Sequence, residues 1–166
     1  MIMINALLFA ATVVTTDIPR PEHPRPQFER EDWVNLNGEW TYSFDAGLSG
    51  EARNWTASEG FDGRIIVPFC PESSLSGVAH TDFINRIWYQ RKVSVPAGWD
   101  GRKILLHFGA SDYKTSVYVN SRLAGTHYGA GSSFTFDISA FVKAGEQYQY
   151  TDASFYDKDK SRACFG

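Results

Sequence analysis

The stretch from Lys103 to Gly125 limits the folds open to this chain more than any other. Ile104, Leu105, Leu106 and Phe108 form an apolar run too short for a helix, closed by Gly109. Val117 and Val119 alternate with Ser116, Tyr118 and Asn120, which gives a strand with one apolar and one mixed face. Asn120-Ser121 then reverses the chain into Arg122-Leu123-Ala124-Gly125. Asn tolerates the left-handed backbone of a tight hairpin turn. Ser suits the second turn position less well than Gly, so the sequence predicts a looser turn. Three strands in immediate succession are most economically explained by a β-sandwich core.

The same period recurs along the chain. Trp40, Tyr42 and Phe44 alternate with Thr41 and Ser43, and Ile65-Ile66-Val67 is stopped by Pro68 and Pro71. Ile87 to Val95 reads as a strand with Tyr89, Arg91, Val93 and Val95 on one side. Phe134-Thr135-Phe136 is another, with Asp137 placed to cap a short turn through Ala140-Phe141-Val142. Asn37-Gly38 predicts a turn. The fold class is therefore all-β. A length of 166 residues suits one domain, and 43% hydrophobic content suffices for its core.

A net charge of −3 argues against a general nucleic-acid partner, which needs a basic face to displace counterions. His23, His80, His107 and His127 are scattered without ligand spacing, so no metal and no cofactor are expected. Cys70 and Cys164 are too few for a disulfide scaffold; free thiols are the default and a bridge between them stays open. Met1 to Val14 is apolar but lacks a preceding Lys or Arg, and is shorter than the ~20 residues of a membrane span. Residues 1–18 read as a frayed segment, with an extra strand or an atypical signal peptide over 1–16 as alternatives. No membrane association is expected, and a cytoplasmic location is favoured. Prolines at 19, 21, 24 and 26 make residues 19–26 an extended outer arm. Residues 46–63 are small, polar and glycine-rich, hence loop, with one glycosylation sequon at Asn54-Trp55-Thr56 that matters only in a secreted chain. After Gly145 aliphatic residues thin out, and residues 146–166 read as a poorly packed tail with the last strand incomplete.

Several segments resemble one family. Arg25-Pro26-Gln27-Phe28, Asp32-Trp33 and Leu36-Asn37-Gly38-Glu39-Trp40 look like the opening of glycoside hydrolase family 2 enzymes, the β-galactosidase, β-glucuronidase and β-mannosidase group. Val67 to Ser73 followed by Leu75-Ser76-Gly77 is similar to a loop of that group, and Trp88-Tyr89-Gln90-Arg91 to its Trp-Tyr-x-Arg strand. His107-Phe108-Gly109-Ala110, Val117-Tyr118-Val119-Asn120 and Phe134 to Ser139 complete a series running from Pro19 to Gly145. The resemblance implies that residues 19–145 form the N-terminal sugar-binding domain, a galactose-binding-like jelly-roll β-sandwich without catalytic residues. It also implies missing neighbours: an immunoglobulin-like sandwich and a barrel that carries the acid/base and the nucleophile. The partner implied is a β-glycoside in the full-length enzyme.

The resemblance has gaps. The family usually reads Gly-Gly-Tyr-Thr-Pro-Phe where this chain has Gly129 to Phe134, so an aromatic is missing, and Ser121 replaces a common Gly. After Glu146 the text departs from the family's aliphatic strand, as a truncation, a frameshift or an alternative end would. The site residues expected from the resemblance are Glu72 and Ser73, on a loop near the active-site rim, and Asp112 and Tyr113, in a turn between core strands. Retaining glycoside hydrolysis needs two carboxyl groups ~5–5.5 Å apart. The acidic residues here sit mostly in turns, caps and charge runs, so no catalytic pair is expected. The readings in play are the sugar-binding part of a β-glycosidase, a free-standing carbohydrate-binding module, and a fragment without function.

Overall fold

The computed structural model describes residues 18–22 and 32–155. The readings on residues 1–17, 23–31 and 156–166 lie outside the described residues, and with them fall Arg25-Pro26-Gln27-Phe28, the last two prolines of the arm, the end of the tail and Cys164.

Among the described residues the strands are β1 (Gly38–Phe44), β2 (Gly63–Val67), β3 (Arg86–Ser94), β4 (Leu105–Phe108), β5 (Lys114–Val119), β6 (Arg122–Tyr128), β7 (Phe134–Asp137) and β8 (Gln147–Phe155). They build one antiparallel sheet in the order β2-β1-β3-β8-β5-β6 and a smaller one from β4 and β7. Trp40, Ile65, Val117, Val119, Tyr148 and Tyr150 of the large sheet meet Leu106 and Ile138 of the small layer in one core. The Phe108 and Tyr150 rings, 6.0 Å apart, bridge the two sheets. Phe136 approaches β6 so closely that a Cβ on Gly125 would stand 2.2 Å from its ring. The expected all-β sandwich is what forms.

The largest correction concerns the C-terminal segment. Residues 147–155, expected to pack poorly, form a nine-residue strand at the centre of the large sheet, paired with β3 on one side and β5 on the other. Tyr148, Tyr150, Thr151, Asp152, Ala153 and Ser154 are all buried. Its polar side chains are admitted because distant segments answer them. Thr151 Oγ1 accepts from Gln90 Nε2 at 3.1 Å, and Gln149 Nε2 donates to the carbonyls of Ser58 (2.7 Å) and Thr56 (3.2 Å). None of these partners is near in sequence, so composition alone could not reveal the burial.

Those bonds also anchor residues 45–62, which cross the outer face of the large sheet as a strap. Gln90 Nε2 donates to Ser58 O at 2.9 Å, and Trp88, fully buried, donates its Nε1 to Asp45 Oδ2 at 3.1 Å. Gly50 has no room for a side chain, since a Cβ there would lie 2.5 Å from Trp88 Nε1. A segment read from sequence as plain loop thus forms a second cover for the sheet.

Two turn expectations also change. Asn120 (φ 47°) and Ser121 (φ 63°) are both left-handed, and Val119 pairs directly with Arg122, so the hairpin is tight rather than loose. A left-handed residue other than glycine costs roughly 1–2 kcal/mol. Hydrogen bonds offset that cost: Ser121 Oγ donates to Thr56 O at 2.9 Å, and Asn120 Oδ1 accepts from Gln149 N at 3.0 Å. Gly38 (φ 118°) opens β1, paired with Val67, where a turn was expected. The Asp137 cap forms as expected: its Oδ1 accepts from Ser139 N at 3.1 Å and Ser139 Oγ at 2.6 Å.

Candidate functional site

Antiparallel register gathers one set of strand ends at one edge of the sandwich. Tyr42 pairs with Gly63, Phe44 with Ile87, Arg86 with Phe155, and Lys114 with both Phe155 and Tyr128. The ends of β1, β8 and β6 and the starts of β2, β3 and β5 therefore share this edge. Asp112 and Tyr113 enter β5 there. Asp112 is buried, 9% exposed, rather than open in a turn. Tyr113 is half-buried, its ring edge-on to Tyr128 with centroids 6.3 Å apart, and its carbonyl accepts from Gly129 N at 2.7 Å. Tyr128 itself is 60% exposed.

Glu72 and Ser73 lie on the crossover 68–85 between β2 and β3. Pro71 and Ser76 of this crossover are fully buried, so the segment is part of the packed body. Glu72 is exposed and Ser73 half-buried. Ser73 Oγ accepts from Leu75 N at 3.2 Å, capping the 3-10 turn Ser74–Ser76, while Ser73 O accepts from Ser76 Oγ at 2.7 Å. His80 N donates to Pro71 O at 2.8 Å, and the His80 ring packs on Phe44 at 4.5 Å, which ties the crossover to the end of β1. Strands β1 and β5 are three strand spacings apart, roughly 14 Å. The structure thus ties the crossover of Glu72 and Ser73 to the end of β1 and sets Asp112 and Tyr113 at the start of β5, two anchor points three strands apart along the sheet.

Between those anchor points runs a buried polar column that sequence reasoning missed. On β8, Tyr150, Asp152 and Ser154 point the same way, into the sandwich. The Tyr150 hydroxyl is buried without a hydrogen-bond partner among the described residues. Burial and the neighbouring Asp152 push its ionisation well above the ordinary tyrosine range. Burial pushes the Asp152 carboxyl up to about 7, against a weaker opposing pull from Ser154 Oγ at 3.5 Å. Ser154 Oγ also meets Ser111 Oγ at 3.0 Å, which accepts from Thr115 Oγ1 at 2.6 Å. The only sequence signal was the alternation Tyr148, Tyr150, Asp152, Ser154, which the intervening polar residues disguised.

Other conspicuous residues serve structure. Asp45, 2% exposed, accepts from Ser49 N, Gly50 N and Trp88 Nε1, with Arg86 at 3.9 Å. Burial works to raise its carboxyl, but these donors and the Arg86 charge outweigh it and hold it below the usual value. Arg91 donates to the carbonyls of Leu36 (2.6 Å) and Asn37 (2.9 Å), fixing the approach to β1. Asn37 Nδ2 reaches Pro19 O at 3.1 Å and pins the described part of the arm to the outside of the domain. His107 Nδ1 meets Thr135 Oγ1 at 2.7 Å across the small sheet, as a hydrogen-bonded strand histidine should. No cluster of metal-ligating side chains occurs among the described residues.

Comparison with known proteins gives this geometry a context. The family model described as the sugar binding domain of glycosyl hydrolases family 2 matches residues 75–156, from the crossover through β8. A β-glucuronidase of Bacteroides fragilis is 24% identical over 125 residues, 72% of this chain and 16% of that protein. A β-galactosidase of Thermoanaerobacter pseudethanolicus is 34% identical over 58 residues, 35% of this chain and 8% of that one. The solved structure of Lactobacillus rhamnosus β-glucuronidase superposes with a TM-score of 0.68 and 27% identity over 75% of this chain and 21% of its own. The chain spans only about a fifth or less of the length of these relatives. The family match from the crossover through β8 and the superposition together mean that the chain belongs to glycoside hydrolase family 2, through its N-terminal sugar-binding domain.

Proposed function

We propose that this chain is the non-catalytic, sugar-contacting part of a β-glycosidase that hydrolyses O-glycosyl bonds in carbohydrate metabolism. The observation that carries the reading is the family match to a sugar binding domain, on a chain that spans 16% to 21% of relatives named β-glucuronidase. The acid/base and nucleophile are assigned to a barrel domain, reached through an immunoglobulin-like sandwich, both beyond this sequence.

The acidic residues support this division of labour. Asp45 and Asp152 are 2% and 7% exposed, closed to a glycosidic oxygen. Asp137 is occupied by Ser139 and by Lys103 Nζ at 3.1 Å. None of these three is placed to join a carboxyl pair that flanks the scissile bond, protonating the leaving group and stabilising the anomeric carbon. Glu72, Ser73, Asp112 and Tyr113 act as contacts, the exposed Glu72 directly and the half-buried Ser73 and Tyr113 and the buried Asp112 by shaping the rim.

The test is a pair of measurements on the full 166-residue chain. Incubation with 4-nitrophenyl β-D-glucuronide and β-D-galactoside should release no nitrophenol. Titration with the corresponding methyl glycosides, followed by amide NMR, should give saturable shifts. Turnover above the buffer rate would refute the non-catalytic assignment, and a flat titration with every sugar would refute sugar contact.

A further inference from the structure

The strap and the end of the β1–β2 ladder enclose an open cleft of about 450 Å³, in the size range of small-molecule sites. Its walls combine Tyr42, Phe44, Trp55 and Phe61 with the exposed charges of Arg53 and Asp62. The walls are built in advance. Trp55 rests between Phe61 and the buried Trp88, with centroids 5.6 and 6.1 Å away. Ser58 O is held by Gln90 and Gln149, and Thr56 O by Ser121 and Gln149. Gly63 lacks a Cβ where one would stand 2.6 Å from the Tyr42 ring, so the ring lies over the head of β2.

Of the two charges, Arg53 is the one that would receive an acidic ligand. The Arg53 guanidinium lies over the Trp55 ring at 5.1 Å, and no carboxylate among the described residues forms an ion pair with it. Stacking on an aromatic face orients a guanidinium for bidentate pairing with a carboxylate. Aromatic walls offer flat apolar faces to the C–H surface of a pyranose, and Asp62 accepts from its hydroxyls. Phe44, one wall of the cleft, also carries the His80 ring of the crossover that holds Glu72 and Ser73. The cleft therefore lies one ring contact away from the crossover that carries the expected rim residues.

We propose that this cleft is a separate subsite for an acidic pyranose, a uronate unit of a glycan, with Arg53, held over Trp55, reading the carboxylate and with Tyr42 and Phe61 facing the ring. The inference rests on the sugar-contact reading above and assigns it a place that the family match does not specify. It puts one sugar unit on the strap and leaves Glu72 and Ser73 for its neighbour.

The experiment titrates the full chain with methyl β-D-glucuronide and, in parallel, methyl β-D-glucoside, which lacks the carboxylate, recording amide NMR shifts. Saturable shifts from glucuronide should centre on residues 53–63, and the glucoside should bind about tenfold more weakly. Arg53→Ala should cost a similar factor and Arg53→Lys less, with the thermal unfolding midpoint unchanged because the side chain is exposed. Shifts centred on residues 72–73 or 112–113, with Arg53→Ala binding as the parent does, would overturn the cleft while leaving sugar contact intact. Equal binding of both glycosides would overturn the carboxylate reading. No saturable shift with either sugar would overturn both this subsite and the function it rests on.

Discussion

Replacing Asp152 with Asn should make this protein more stable at neutral pH. The carboxyl is 7% exposed at the centre of the large sheet, its titration pushed from 3.8 to about 7 by burial. An acid whose folded-state value is raised binds more protons folded than unfolded. Stability therefore falls as pH rises from the unfolded value through the folded one. At about 1.4 kcal/mol per unit, the penalty reaches about 4 kcal/mol above pH 7, of which about 3 kcal/mol develops between pH 5 and 8. Whole domains have only ~5–15 kcal/mol to lose, so the effect is readily measured. Asn keeps the shape and removes the charge. Urea unfolding of parent and Asp152→Asn at pH 5, 6, 7 and 8 gives the difference directly, and other titrating groups cancel in it. The variant's advantage should grow from pH 5 to pH 7 and level off toward pH 8. A constant difference, or a parent that gains on the variant as pH rises, would refute the assignment of a buried carboxyl without a charged partner.

Asp45 carries the opposite sign. Its lowered titration contributes stability that is present above the unfolded value and lost as pH falls through the folded one. Asp45→Ala should cost about 3 kcal/mol in urea unfolding at pH 7, since it strands Trp88 Nε1 and Gly50 N in the interior. Gly125→Ala forces a methyl group against the Phe136 ring and should cost about 1–3 kcal/mol, seen as a lower thermal midpoint. Asn120→Ala keeps a left-handed residue but loses the bond to Gln149 N; a cost of about 1–2 kcal/mol is expected from the same melt, and no change would mean that the turn is not tight.

The two misjudged segments, the strap and β8, were illegible for one reason. A sequence reader infers exposure from polarity, and that inference fails when polar groups find partners far along the chain. Gln149 is matched by carbonyls 91 and 93 residues away, and Gln90 by Thr151, 61 residues away. The expected contacts Glu72, Ser73, Asp112 and Tyr113 came from resemblance alone, and no local signal said that Asp112 is buried or that Ser73 caps a turn.

Alternation every two residues and short apolar runs, punctuated by proline and glycine, determined the strands β1 to β7 and hence the all-β class, because local sterics and burial act on neighbouring residues. Only the tertiary structure decided that β8 runs between β3 and β5 and that the strap covers the sheet to form a cleft. Those outcomes depend on hydrogen bonds and ring contacts between residues distant in sequence. Their free energy exists only once the chain has closed on itself.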